Sequence, residues 1–216
     1  MNNTLWILSL LFLGSCAGVH TLSDPTLVLQ TRNGSELGVS TDYGVVFLGR
    51  TARSGDVEIM SWYGDGPNIE STVIEPINDQ IYTAETEIRL ASVPLTFIQP
   101  EPGQTVLLIG RKDRERWEKH VTVKSDPRVD GILLDVTTEF YNAPDQIGAG
   151  VFVCPEEDCA RKRLVGLVAG VITLTDSDGG TKTYLSIVGP KELWRLATHR
   201  KDMLRRKPWV YRDDVL

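Results

Sequence analysis

From Thr26 onward the chain breaks into short apolar or alternating segments, recurring about every ten residues and separated by Gly, Pro, Asn and Asp. This rhythm belongs to many short strands joined by tight turns, and it points to a sandwich or to barrels. Thr26–Thr31 has strand composition and runs into the turn signal Asn33-Gly34. Gly44–Gly49, Asp56–Tyr63, Ser71–Ile74, Ile81–Thr83, Glu85–Leu90 and Thr96–Gln99 follow as strand candidates. Pro100-Glu101-Pro102-Gly103 reads as a linker between halves. In the second half, Thr105–Gly110 is nearly all apolar and is expected to be buried on both faces. Lys112–Glu118 reads as a charged loop, Trp117–Lys124 and Gly131–Val136 as strands. Val151 and Leu164–Leu174 lie in two further strands, and Asp176–Gly180 turns into a last one, Thr181–Val188.

One segment has a different period. Gly189-Pro190 places Pro in a first helical turn, where its missing N–H costs nothing. Leu193, Leu196, Ala197, Met203 and Leu204 then recur at helical spacing, and Pro208 ends the helix.

Composition narrows the function. The chain has 216 residues and a formal net charge of −6, with a pI near 5.1. An acidic chain of this kind is a poor nucleic-acid binder, because phosphate contacts need a basic field. Leu5–Leu13 is an apolar run too short to span a bilayer, followed by the small residues Gly14, Ser15, Cys16, Ala17 and Gly18. It reads as an export signal, although no Lys or Arg precedes Arg32. Leu13-Gly14-Ser15-Cys16 resembles the lipobox of bacterial lipoproteins, which implies cleavage before Cys16 and a diacylglycerol on its thiol. A plain secreted form is the other reading of this N-terminus. Three Cys is an odd count, and assigning Cys16 to lipid leaves Cys154 and Cys159 as a pair in an oxidising compartment.

Asn142–Leu174 carries the densest set of signals. Gly148 and Gly150 lead into an apolar strand, Cys154 and Cys159 bracket a tight loop, and a long apolar run returns. Pro144–Phe152 lies where trypsin-like (chymotrypsin-fold) serine proteases carry their nucleophile loop, and Leu164–Val168 resembles the strand after it. Pro102–Gly110 resembles the first strand of that family's second barrel. Glu87-Ile88-Arg89-Leu90 with Pro94-Leu95 resembles the segment after its catalytic Asp. Over about Gly44 to Leu204 the chain is thus similar to this family, especially its bacterial heat-shock members. The resemblance implies an all-β fold of two packed six-stranded β-barrels with a C-terminal α-helix. The expected division is a signal at 1–15, a tether at 16–25, a first barrel at 26–99 and a linker at 100–103. A second barrel at 104–189, a helix at 190–207 and a tail at 208–216 complete it.

Carried over residue by residue, the resemblance implies a degenerate site. The nucleophile position is Ile147, which has neither hydroxyl nor thiol. The oxyanion position, Gly in the family, is Asp145, whose side chain disfavours the needed backbone and whose charge would repel an oxyanion. No His occurs between Phe47 and Glu70, where the base belongs, and the acid position falls near Ala84 or Glu85. His20, His120 and His199 leave open a rearranged triad, and hence an active serine endopeptidase, as an alternative. A third reading is an unrelated β-sandwich lipoprotein that binds a ligand or scaffolds an assembly.

Cys154-Pro155-Glu156-Glu157-Asp158-Cys159 has no common zinc spacing, so a disulfide is expected there, and no metal or cofactor. Arg195, Arg200, Lys201, Arg205 and Arg206 form a basic patch near the C-terminus. It is either a solvated helix face whose cations complement the helix dipole or a contact for an anionic partner. Taken together, the sequence predicts an exported, lipid-anchored envelope protein that uses a protease-like scaffold without catalysis. A protein or peptide in the groove between barrels is its expected partner.

Overall fold

A computed structural model describes residues 24–63, 66–88, 91–112, 115–136, 146–156 and 159–206; for 62–63, 66–67 and 200–206 it describes the main chain only. Cys16 and Asp145 lie outside the described residues. The first barrel contains β1 (Thr26–Thr31), β2 (Gly34–Thr41), β3 (Gly44–Phe47), β4 (Asp56–Tyr63), β5 (Gly66–Pro76) and β6 (Tyr82–Ala84). Its order is β1-β2-β3-β6-β5-β4, closed by antiparallel pairing of β4 with β1. The second contains β7 (Thr105–Lys112), β8 (Glu115–Lys124), β9 (Leu133–Asp135), β10 (Gly150–Val153), β11 (Arg163–Thr175) and β12 (Thr181–Val188). Its order is β10-β11-β12-β9-β8-β7, closed by β7 on β10. Helix α1 (Pro190–Arg206) follows. Closure abolishes exposed sheet edges, and it rules out the alternative of two stacked sheets.

The two-residue period of a strand explains the packing. In β3, Val45 and Phe47 point into the first barrel, while Val46 points out into the seam between barrels. In β7, Val106 and Leu108 fill the second barrel, and Leu107 and Ile109 face the same seam. The all-apolar run of β7 is therefore buried on both sides, as its composition requires. Val39, Leu48, Ile81, Val93, Phe152, Leu164 and Leu167 complete the seam, and Leu193 and Leu196 of α1 cover it. At the helix start the Gly189 amide donates to the Glu192 carboxylate, 3.2 Å away, which satisfies a donor that the first turn leaves open.

A second link between the barrels is ionic. Arg111 on β7 is 5% exposed; its guanidinium pairs with the Asp24 carboxylate, and its Nε donates to the Thr26 carbonyl at 3.2 Å. Asp24 also accepts from the Thr26 amide and hydroxyl, at 2.9 and 2.6 Å. The entry to β1 is thus fastened to the second barrel.

Three segments differ from the sequence expectation. Glu85–Leu90 is not a strand: among its described residues, the Glu87 and Ile88 amides donate to the Glu70 carboxylate instead of to a ladder, and the Thr86 hydroxyl does the same. Burial pushes the Glu70 pKa up, but these hydrogen bonds outweigh it and hold the carboxyl below its ordinary value. Thr96–Gln99 is not a strand either. The passage from β6 to β7 crosses the seam on single bridges, Val93 beside Thr41 and Leu95 beside Leu164. Lys112–Glu118, expected as a loop, is mostly ladder: Lys112 pairs with Glu115 and Ile109 with Glu118, because charged side chains on an outward face do not oppose strand pairing.

Candidate active site

The segment Gln146–Gly150 hangs from the second barrel. The Gly148 amide donates to the Val168 carbonyl at 2.8 Å, and the Val168 amide donates to Ala149 at 2.9 Å. A turn closed by the Ala149 amide on the Gln146 carbonyl, 3.0 Å away, holds Ile147 at its crest. Gly148 has a φ of +87°, which a residue with a side chain adopts only at a cost. It rests on β2 of the first barrel, against the main chain of Leu37. Leu37 itself joins the core of the second barrel. The loop thus spans both barrels, and Ile147 is half-buried against both the second-barrel core and the seam. Gln146 is 2% exposed, and its Nε2 has no hydrogen-bond partner among the described residues.

The strand pairing decides what else lies at this end of the first barrel. Gly38, next to Leu37, faces Phe47, and Phe47 faces Tyr82. The segment leaving β3, 48–51, and the segment entering β6, 77–81, therefore share the end on which the Ile147 loop sits. Both are tightly held. The buried Glu36 carboxylate accepts the amides of Arg50 and Thr51 at 3.1 and 3.0 Å and the Thr51 hydroxyl at 2.7 Å. The Asn78 side-chain oxygen accepts the amides of Gln80 and Ile81, both at 2.8 Å. Neither segment contains His. Asp79 is the acidic residue of the β6 entry, and it is exposed.

Glu85, the acid suggested by the sequence, lies elsewhere. It follows Ala84, whose partner is Val45, so it sits at the β2–β3 hairpin end. There it lines a polar hollow of about 290 Å³ with Ser40, Thr41, Asp42, Gly44, Thr86 and Ile88. The resemblance carried by Glu87–Leu90 sets the acid near Ala84 or Glu85, but β6 ends at Ala84, and this leaves both at the hairpin end. Glu36 was missed altogether: its position in a strand gives no hint of the loop it grips, since that contact is 14 and 15 residues away in sequence.

His20 lies outside the described residues. His120 is exposed on β8 and His199 is half-buried on α1; among the described residues neither is hydrogen-bonded to a Ser, Thr or Asp. Cys154 and Cys159 form a disulfide beside the seam, with Cys159 at a φ of +54°. No group of three or more His, Cys, Asp or Glu among the described residues is arranged to hold a metal ion. No described helix is long and apolar enough to cross a membrane. Of the basic patch, Arg195 is exposed on α1, whereas the side chains of Arg200, Lys201, Arg205 and Arg206 lie outside the described residues.

A groove of about 730 Å³ lies between the crossover at Phe97–Gln99 and the start of α1. It is lined by Gln80, Phe97, Gln99, Ile132, Ile187 and Trp194 and by the helix start.

Two closed six-stranded barrels packed on a common seam, followed by a C-terminal helix, define the trypsin-like fold. Solved structures agree. The chain is similar to the serine protease of a human pathogenic astrovirus, with a TM-score of 0.52 at 13% identity, covering 80% of this chain and 98% of that one. It is similar also to the serine endoprotease from Yersinia pestis, with a TM-score of 0.53 at 12% identity, covering 88% of this chain and 65% of that one. At such identities the likeness is one of fold. No family model and no curated protein matches the sequence.

Proposed function

We propose that this chain is a non-catalytic member of the trypsin-like fold, exported and tethered to the cell envelope through lipid on Cys16, and that it acts by binding a protein or peptide between its barrels. The observation that carries the reading is Ile147. The resemblance gives it the nucleophile's place, and in support its side chain, at the crest of the loop, packs against two cores. Acyl transfer needs a nucleophilic atom with a base within hydrogen-bond reach. At Ile147 there is no such atom, and the two first-barrel segments at that end supply no imidazole. The Glu36 carboxylate is engaged in holding Arg50 and Thr51. Asp145, next to this loop in sequence, would set a negative charge where an oxyanion needs donors.

The test of the non-catalytic reading is labelling of the purified full chain with a fluorophosphonate, followed by peptide mapping, beside hydrolysis of unfolded casein. We expect neither stoichiometric labelling of any Ser nor hydrolysis above a heat-denatured control. Labelling of one Ser with matching turnover would establish an active rearranged site instead. The anchor is tested by metabolic labelling with palmitate: incorporation should vanish in Cys16→Ser, and incorporation that persists in that variant would refute lipidation at Cys16.

A further inference from the structure

Of the six large apolar residues exposed among the described ones, Phe97 and Trp194 touch, and Ile98 follows Phe97 in the chain. Phe97, Ile98 and Trp194 are 37%, 78% and 54% exposed. The rings of Phe97 and Trp194 stand edge to face, with centroids 5.1 Å apart and planes at 88°. The contact joins the crossover between barrels to α1, so the patch is continuous across two elements. Burial of their exposed faces would be favourable, and no described residue covers those faces.

The charge beside them is unlike that of the rest of the chain. The overall charge is −6, but α1 contains six Lys and Arg against two Asp and Glu. Lys191 and Arg195, which flank Trp194 in sequence, are both exposed. Among the acidic groups here, Glu192 caps the Gly189 amide, Asp130 lines the groove, and exposed Asp79 and Glu101 lie, respectively, next to groove-lining Gln80 and two residues past groove-lining Gln99.

We infer that Phe97, Ile98 and Trp194 dock on an anionic lipid surface, inserting at headgroup depth while Lys191 and Arg195 meet the lipid phosphates. Indole and phenyl rings favour the interface between headgroup and acyl chain, and cations on the same element gain from a negative surface potential. A protein pocket would have to match the rings with shape and the cations with placed carboxylates. A charged bilayer surface satisfies both without a fixed geometry. The contact is separate from any lipid on Cys16, and it would hold the barrels in one orientation on the membrane.

The experiment uses the full chain carrying Cys16→Ser, so that no acyl group at that position contributes. Binding is measured by sedimentation with phosphatidylcholine vesicles, with and without phosphatidylglycerol. In parallel, tryptophan fluorescence is quenched by brominated acyl chains. We expect stronger binding to the phosphatidylglycerol vesicles, and a loss of about tenfold in Ile98→Ser/Trp194→Ser and in Lys191→Glu/Arg195→Glu. Part of the bromolipid quenching should disappear in Trp194→Phe, which reports this side chain alone even if the apolar run at Leu5–Leu13 also meets the vesicle. Binding indifferent to headgroup charge, double variants within twofold of the parent, or quenching unchanged in Trp194→Phe would each overturn the inference.

Discussion

Gly148 of the second barrel lies so close to Leu37 of the first that a β-carbon on it would stand 2.9 Å from the Leu37 carbonyl oxygen. Main chain meets main chain there, and neither side can yield as a flexible side chain would. The φ of +87° adds a conformational penalty for any other residue. Gly148→Ala should therefore destabilise the protein by about 2–4 kcal/mol. A drop in the urea midpoint at constant slope is the expected result, and an unchanged midpoint would contradict the close approach.

Glu36 holds the segment that leaves β3. Glu36→Ala would strand two amides and a hydroxyl that now share one carboxylate. Hydrogen bonds to a charged group contribute about 1.5–3 kcal/mol. A loss of about 2–4 kcal/mol is expected, with faster amide exchange at Arg50 and Thr51. Exchange there that matches the parent protein would show that the carboxylate is not what orders this loop.

Ile147→Ser places a hydroxyl at the crest of the loop and supplies nothing to deprotonate it. Peptidase activity is expected to stay at background from pH 6 to pH 9. Removal of a half-buried side chain should instead appear as lost stability of about 1–3 kcal/mol. Turnover of a peptide substrate by this variant would mean that a base lies within reach and that the non-catalytic reading is wrong.

Arg128 ties the approach to β9 to the β11–β12 hairpin, donating to Asp126 at 2.7–2.8 Å and to the Thr175 carbonyl at 2.6 Å. Its side-chain and backbone hydrogen bonds hold the Asp126 carboxyl down at about 2, from an ordinary 3.8. A depressed carboxyl binds fewer protons in the folded than in the unfolded chain, so its stabilisation is complete above about pH 4 and fades as pH falls to 2. The Asp126 side chain is 19% exposed and its partner Arg128 46%, so salt screens the pair in part. Asp126→Asn should flatten the stability curve between pH 4 and 2 and leave its shape above pH 5 unchanged. A parent and variant with the same acid limb would place the Arg128 contact outside the energetics of folding.

Much of the architecture was legible in the residues themselves. Burial on a strand has a period of two, so Thr26–Thr31 or the doubly apolar β7 announces both its conformation and its faces. Asn33-Gly34 and Asp176–Gly180 mark hairpins, and Gly189-Pro190 with Leu193 and Leu196 marks the helix. These are local properties, fixed by backbone sterics and by each residue's affinity for water. The disulfide of Cys154 and Cys159 was nearly as accessible, because the two are neighbours and the third Cys is remote.

The site depended on which strands close on which. Once Gly38 faces Phe47 and Phe47 faces Tyr82, the exit of β3 and the entry of β6 must share an end, and Glu85 must fall at the other. A shift in where β6 ends moves an acidic residue from one end of a barrel to the opposite one, and nothing in the Glu85–Leu90 composition records that choice. Likewise Glu36 reads as a polar strand residue until the fold brings Arg50 and Thr51 to it, and Ile147 reads as an incongruous loop residue until two cores close around it. The sequence alone determined the strands, the turns, the helix and the lack of a hydroxyl or thiol at position 147. Only the tertiary structure decided which loops meet, because ring closure of each sheet couples residues far apart in the chain through main-chain hydrogen bonds that do not depend on side-chain identity.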